Sequence, residues 1–298
     1  MINLRAHIRR HAALPLLALT LVALLAACGA ATPASQPSAA PAADHDGDDG
    51  HSHSALEEIP HLHGLGFSAD GTRLIVPAHI GLRVYQDDAW HTPDVPAHDY
   101  MGFAIVDDGF YSSGHPEPGS SLANPLGLVK STDGGATLQP LGFVGESDFH
   151  TMGVGYRSHA IYLVNPTPNS RLQPGPYYSL DGGKTWQPFA AAGVTAPPYA
   201  IAVHPDEPGT LALPTDSGLM HSTDYGASFA LVSAPAQVTA AAYTLDGKGL
   251  IFGAKTLSAL DLASGTVTAM AAPQLGPEDV FIYLATSPTT ADKGCRWC

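Results

Sequence analysis

Basic side chains are scarce in this sequence: 13 Lys and Arg stand against 27 Asp and Glu, a formal charge of −14. A surface that acidic repels phosphate backbones and anionic headgroups, so nucleic acid is excluded as a partner. Cysteine is scarcer still, with only Cys28, Cys295 and Cys298. Three thiols cannot build a disulfide-stapled scaffold, and the lone C-x-x-C at the end lacks the second pair of a structural zinc site. No helix follows Cys298 for a redox motif to open, so this C-x-x-C is read as functionally silent. Sustained 3.6-residue periodicity is missing from Ile59 onward, which excludes a helical domain. A Gly-x-Ser-x-Gly elbow is also missing, which argues against a serine hydrolase.

An unbroken apolar run, Ala12–Ala27, follows Arg5, Arg9 and Arg10. It is shorter than the about 20 residues that a membrane span requires, and it suits the apolar core of a signal peptide. It ends in Leu25-Ala26-Ala27-Cys28, which resembles a bacterial lipobox, where small residues admit the peptidase and the thiol takes the lipid. The expectation is a lipoprotein signal peptide over residues 1–27, lipid on Cys28, and an extracytoplasmic chain tethered to a membrane. Gly29 fits an outer membrane and a single-membrane surface equally. Residues 1–27 hold three arginines and no acid, so the rest carries ten basic residues and a formal charge of −17. Residues 28–56 read as a lipid-anchored, disordered stalk, rich at first in Ala, Pro, Ser and Gln. Within it, Asp44-His45-Asp46-Gly47-Asp48-Asp49-Gly50-His51-Ser52-His53 could wrap a divalent cation or serve as a solvated acidic spacer.

From residue 57 to 298 the pattern changes to short β-type runs broken by Gly, Pro and Asp, among them Leu62–Phe67, Arg73–Pro77, Gly102–Val106, Ile161–Val164 and Leu250–Phe252. Such spacing means a sandwich, a barrel or a propeller. A repeat decides between them. Ser131-Thr132-Asp133-Gly134-Gly135 is echoed by Ser179-Leu180-Asp181-Gly182-Gly183 and by Ser222-Thr223-Asp224-Tyr225-Gly226, at steps of 48 and 43 residues. One four-stranded propeller blade occupies that length. Each Asp can accept backbone N–H bonds inside its own turn, the Ser hydroxyl reinforces it, and Gly135, Gly183 and Gly226 can take positive φ. Trp186 and Phe229 then plug the gap between sheets, with Leu138 a smaller plug. The expected fold is an all-β propeller of five full blades, at about 60–92, 93–143, 144–190, 191–234 and 235–273. An incomplete sixth begins at Asp279, and the unusual Lys293–Cys298 tail raises truncation of the reading frame.

Strand polarity sorts the polar residues onto two faces. The Asp-boxes share one face with Asp70 and with Asp107-Asp108. The other face receives the starts of innermost strands and the turns between second and third strands. It collects His61, His63, His79, His98, Tyr100, His115 and His150 as candidate ligand-binding residues, with Asp99, Glu117, Asp148, Tyr199 and Asp216. Of the seven histidines between residues 60 and 155, only His91 falls elsewhere. Converging imidazoles with a carboxylate make a transition-metal site for Zn or Cu, with His61, His63, His98 and His150 as the proposed ligands. Neutral imidazoles there could instead do acid–base work or simply satisfy backbone groups. The long loops after Ser112 and Asn165 extend from this same face.

With these boxes, the His61-Leu62-His63-Gly64-Leu65-Gly66-Phe67 start, His98–Phe103 and Asp148-Phe149-His150, residues 60–286 resemble secreted bacterial Asp-box (BNR-repeat) propellers. That group includes sialidase-like and sortilin-like propellers and photosystem assembly factors, and its bacterial members often carry a glycosylhydrolase name. The resemblance implies the fold, while one fold hosts both enzymes and binders. A sialidase needs three arginines around the substrate carboxylate. Arg73, Arg83, Arg157 and Arg171 are the only arginines between the signal segment and the tail, and no Arg-Ile-Pro motif precedes the boxes. The leading expectation is a tethered propeller holding a metal or small polar ligand. The alternatives are a glycoside hydrolase working through Asp99, Asp148 and Glu117 on a glycan, and a protein-interaction scaffold.

Overall fold

Alternating apolar residues bounded by glycine and aspartate turns fold into strands throughout the part of the chain that a computed structural model describes. These are residues 61–232 and 236–289 and the backbone of Arg296–Trp297. The expected signal peptide, the Cys28 lipid site and the stalk lie outside the described residues, as do Cys295 and Cys298. Blade one is β1 (Gly66–Phe67), β2 (Leu74–Ala78), β3 (Gly81–Gln86) and β4 (Ala89–His91). Blade two is β5 (Asp99–Val106), β6 (Gly109–His115), β7 (Leu128–Ser131) and β8 (Gln139–Gly142). Blade three is β9 (Met152–Val154), β10 (Ile161–Asn165), β11 (Gly175–Ser179) and β12 (Gln187–Pro188). Blade four is β13 (Ala202–Val203), β14 (Leu211–Thr215), β15 (Gly218–Ser222) and β16 (Ala230–Leu231). Blade five is β17 (Ala240–Tyr243), β18 (Gly249–Gly253), β19 (Leu257–Asp261) and β20 (Val267–Met270). Each sheet is an antiparallel meander in sequence order, and each lies inside its expected blade range.

The core lies in seams between consecutive sheets. Ile75 and Leu82 of blade one meet Tyr100, Phe103 and Phe110 of blade two. Leu128 and Phe143 meet Phe149, Met152 and Ile161. Tyr162 and Phe189 meet Ile201, Leu213 and Phe229, and Leu219 meets Tyr243, Leu250 and Phe252. Side-chain alternation makes this arrangement possible: Leu250 and Phe252 face blade four, while Ile251 between them faces Phe281 and Leu284. Each large apolar side chain so buried contributes about 1.5–3 kcal/mol.

The ring is closed by β21 (Leu284–Ala285), which pairs with β22 (Arg296–Trp297) and sits against both β17 and β1. Ala285 joins the seam with Phe67 and Leu74. The Tyr283 hydroxyl donates to the Leu62 carbonyl at 3.1 Å, clasping the end of the ring to its start. A pair of two-residue strands is too small to define the expected incomplete sixth blade.

The three boxes are hydrogen-bonded alike. Ser131 Oγ donates to Asp133 Oδ1 and accepts from Gly135 N, while Thr137 donates to Asp133 through both N and Oγ1. Asp181 has the same partners in Ser179 and Thr185, and Asp224 in Ser222 and Ser228. The glycines adopt φ of +97°, +85° and +80°, a region closed to most side chains. Leu138, Trp186 and Phe229 each fill the seam toward the preceding blade.

Hydroxyl donation, from Thr137, Thr185 and Ser228 first, lowers all three carboxylates from 3.8 to about 2. A carboxylate depressed on folding adds stability that is complete above its unfolded value and is lost as pH falls through the folded one. Urea unfolding between about pH 5 and pH 2 is therefore expected to weaken less steeply in Asp181→Asn than in the parent. Parallel pH dependences in the two proteins would remove this role for the box.

Candidate functional site

Antiparallel pairing places the start of each innermost strand beside the turn that links the second and third strands of its sheet. In blade one, Leu62 bridges to Ala78 and His63 N donates to the Pro77 carbonyl, which sets His63 against His79 in the β2–β3 turn. Asp99 opens β5 in the next blade and reaches the same point. His79 Nδ1 lies 2.8 Å from Asp99 Oδ2 and 3.4 Å from His63 Nε2. His63 Nε2 is 3.8 Å from Asp99 Oδ1. The His61 ring stacks obliquely on that of His79, with centroids 5.1 Å apart.

One blade further round the arrangement recurs. His115, ending β6, places Nε2 3.3 Å from Asp148 Oδ2, and His150 places its Nε2 2.7 Å from the same oxygen. His115 Nδ1 is 2.6 Å from Asn124 Oδ1. In both groups the second carboxylate oxygen is buried: Asp99 Oδ1 and Asp148 Oδ1 have no hydrogen-bond partner among the described residues. Burial first, and the neighbouring His79 next, push the His63 pKa below its ordinary value, so this imidazole stays neutral. His150 acts on His63 in the same direction, which brings the two groups within electrostatic range.

The first group has the geometry of a cation site. Its three donor atoms lie within 4.8 Å of one another. A tetrahedral ion with bonds near 2.0–2.1 Å holds its donors about 3.3 Å apart. His79 Nδ1 lies near that spacing from both Asp99 Oδ2, at 2.8 Å, and His63 Nε2, at 3.4 Å, while His63 approaches the other carboxylate oxygen at 3.8 Å.

Two residues expected at the mouth are placed elsewhere. His98 is buried, and its Nδ1 accepts from Glu117 N at 3.0 Å, while Tyr100 is fully buried in the seam between blades one and two. The reason is alternation: Asp99 faces the mouth, so its neighbours on either side face away. In Asp148-Phe149-His150 the same rule puts Phe149 in the core and the flanking pair together. Glu117 closes a loop by accepting from Ala97 N. Tyr199, Asp216 and Gln237 of blades four and five bond one another and add no imidazole. Asn124, from the loop before β7, carried no signal in the sequence.

The axial channel holds a cavity of about 170 Å³. It is walled by residues 65–67, 103–105, 152–154, 201–203, 241–243 and 284–286, with Tyr156, Pro205 and Leu245 from beyond the innermost strands. The imidazoles and carboxylates of the mouth do not line it. On the opposite face Asp107, Asp108 and His159 also converge. There Lys130 neutralises Asp108 at 2.7 Å and Tyr111 engages the free ring nitrogen of His159.

Fold and repeat together make the chain an Asp-box β-propeller with an imidazole-rich mouth. The BNR/Asp-box repeat model matches residues 177–188, the middle box. Among solved structures, a nidogen/laminin complex aligns with a TM-score of 0.53 at 12% identity, over 76% of this chain and 85% of that one. The GH74 enzyme of Niastella koreensis aligns with a TM-score of 0.49 at 16% identity, over 70% of this chain and 36% of the enzyme. This chain thus spans little more than a third of that enzyme's length. These likenesses concern the fold. Comparison with curated proteins finds no match.

Burial also lowers the His98 pKa, so a neutral ring accepts the Glu117 amide. Removing it leaves a half-buried amide without this partner, at a cost of about 1 kcal/mol. His98→Ala is expected to lower the thermal midpoint while leaving ligand binding at the mouth unchanged. Binding lost with no change in the midpoint would return His98 to the site.

Proposed function

We propose that this protein is a membrane-tethered, extracytoplasmic propeller that binds a divalent transition metal ion at its mouth through His63, His79 and Asp99. The convergence of His63, His79 and the Asp99 carboxylate, whose buried Oδ1 has no hydrogen bond among the described residues, carries the reading. Two imidazoles and a carboxylate suit Zn or Cu rather than Ca or Mg, which prefer all-oxygen shells. Three protein donors leave a coordination position for water or a small polar ligand. His61, which stacks on His79, is the side chain best placed to border that position.

Calorimetric titration with Zn²⁺ tests the metal reading in a full chain whose His45, His51 and His53 are changed to Ala, which silences the tract before the fold. Asp99→Asn in that background is expected to weaken binding at least about tenfold, with Asp216→Asn as an unaffected control. Unchanged affinity in Asp99→Asn would overturn it. The glycoside hydrolase alternative draws on Asp99 and Asp148, each of which already has one oxygen against an imidazole. Its mark is turnover of chromogenic glycosides that Asp99→Ala and Asp148→Ala both abolish. A scaffold function is indifferent to all these changes.

The tether rests on the Arg-led apolar run ending at Cys28. Metabolic labelling with a radioactive fatty acid is expected to mark the parent and not Cys28→Ser, which should leave the membrane fraction. Equal labelling of both proteins would refute the anchor.

A further inference from the structure

We propose that a second binding site, for a small molecule with an aromatic ring and an anionic group, lies in the cleft between blade five and the closing strand β21. It is independent of the metal reading of the mouth. Strand register builds it. The face of blade five toward β21 carries the row Ala242, Ile251, Ala259 and Thr268 across its four strands. The next row toward the Asp-box face holds Gly249, Asp261 and Thr266. These side chains are small, whereas the opposite face fills its seam with Tyr243, Leu250, Phe252 and Leu260. Phe281, Leu284 and Leu275 cover the mouth side of the small-residue face, where Ala240 and Leu257 lie.

What remains is a cleft of about 770 Å³, with Ile251, Ala259 and Met270 in its walls. Small-molecule sites commonly measure about 300–1,000 Å³. In three other seams a side chain just after an Asp-box, Leu138, Trp186 or Phe229, fills the space toward the preceding blade. Here, among the described residues, the closing segment brings only Thr286, Ser287 and Pro288. A planar ring laid on Gly249 and Ala259, beside Ile251 and the Met270 thioether, supplies the missing plug.

The rim selects the charge. Asp246 accepts from Thr244 Oγ1 and Lys248 N, and Asp261 accepts from Ser264, so both carboxylates are served within their own turns. Arg157 is paired with Asp206. Of the charged side chains lining the cleft, only the Lys248 ammonium has no hydrogen-bond or salt-bridge partner among the described residues. A carboxylate or sulfonate on the ring is the group it fits. The rimming turns, 244–249 and 261–266, belong to the Asp-box face, so the cleft opens away from the imidazoles.

Fluorescence titration of the full chain with anilinonaphthalene sulfonate, an aromatic anion, tests the site. Saturable binding to a single class of site is expected. Ala259→Phe puts a ring of the protein's own into the cleft and is expected to weaken binding at least about tenfold. Lys248→Gln is expected to weaken it about two- to fivefold. Thr268→Trp fills the same cleft from the exposed outer strand, which keeps the test decisive if Ala259→Phe does not fold, and thermal midpoints report the fold of each variant. Naphthoate is expected to displace the dye, and the uncharged naphthalenemethanol to displace it far less. Binding undiminished in a folded, cleft-filled variant would overturn the site, as would the absence of saturable binding in the parent. Equal displacement by the two naphthalenes, with Lys248→Gln unchanged, would overturn the anionic class.

Discussion

Apolar seams between neighbouring sheets hold this molecule together, and the rest of its structure follows from them. Every blade contributes one face to the seam before it and the other face to the seam after it, as Leu250, Ile251 and Phe252 illustrate within three residues. A strand committed on both faces cannot slip by one residue without turning its apolar side chains to the wrong seam. Its starting position around the axis is therefore pinned. Asp99, which opens its innermost strand, and Asp148, just ahead of its own, inherit that precision although they lie at the edge of the core.

The same side chain does opposite jobs on the two faces. Asp133, Asp181 and Asp224 are exposed, yet each is surrounded by hydroxyl and amide donors from its own turn. They are structural and chemically quiet. Asp99 and Asp148 are more buried and less well served: each has an imidazole against Oδ2, while Oδ1 has no hydrogen-bond partner among the described residues.

Blade boundaries were legible because the box recurs at nearly constant intervals and because its chemistry is local: Ser, Asp and Gly within five residues define the turn without tertiary help. That His79 and Asp99 share one opening was legible from strand polarity, but their pairing was not, since the metal ligands expected were His61, His63, His98 and His150. The inclusion of His98 and Tyr100 went astray because His98-Asp99-Tyr100 was read as a unit, whereas the pleat sends the middle residue one way and its neighbours the other. Asn124 was beyond reach: nine residues and an irregular loop separate it from His115, and no periodicity governs a loop. Of the closing pair, β21 falls within the strand expected to begin at Asp279, whereas β22, in the tail, carries no alternation to detect.

The clasp between Tyr283 and Leu62 joins two matters that look separate. Leu62 lies between His61 and His63, and the carbonyl that the Tyr283 hydroxyl grips belongs to the peptide bond leading into His63. The ring is sealed there by its slimmest joint, a two-residue strand wedged between β17 and β1. His63 is held from the other side by Pro77 of its own blade. An ion seated as proposed between His63 and Asp99 would also tie the first blade to the second, next to the joint that this clasp seals.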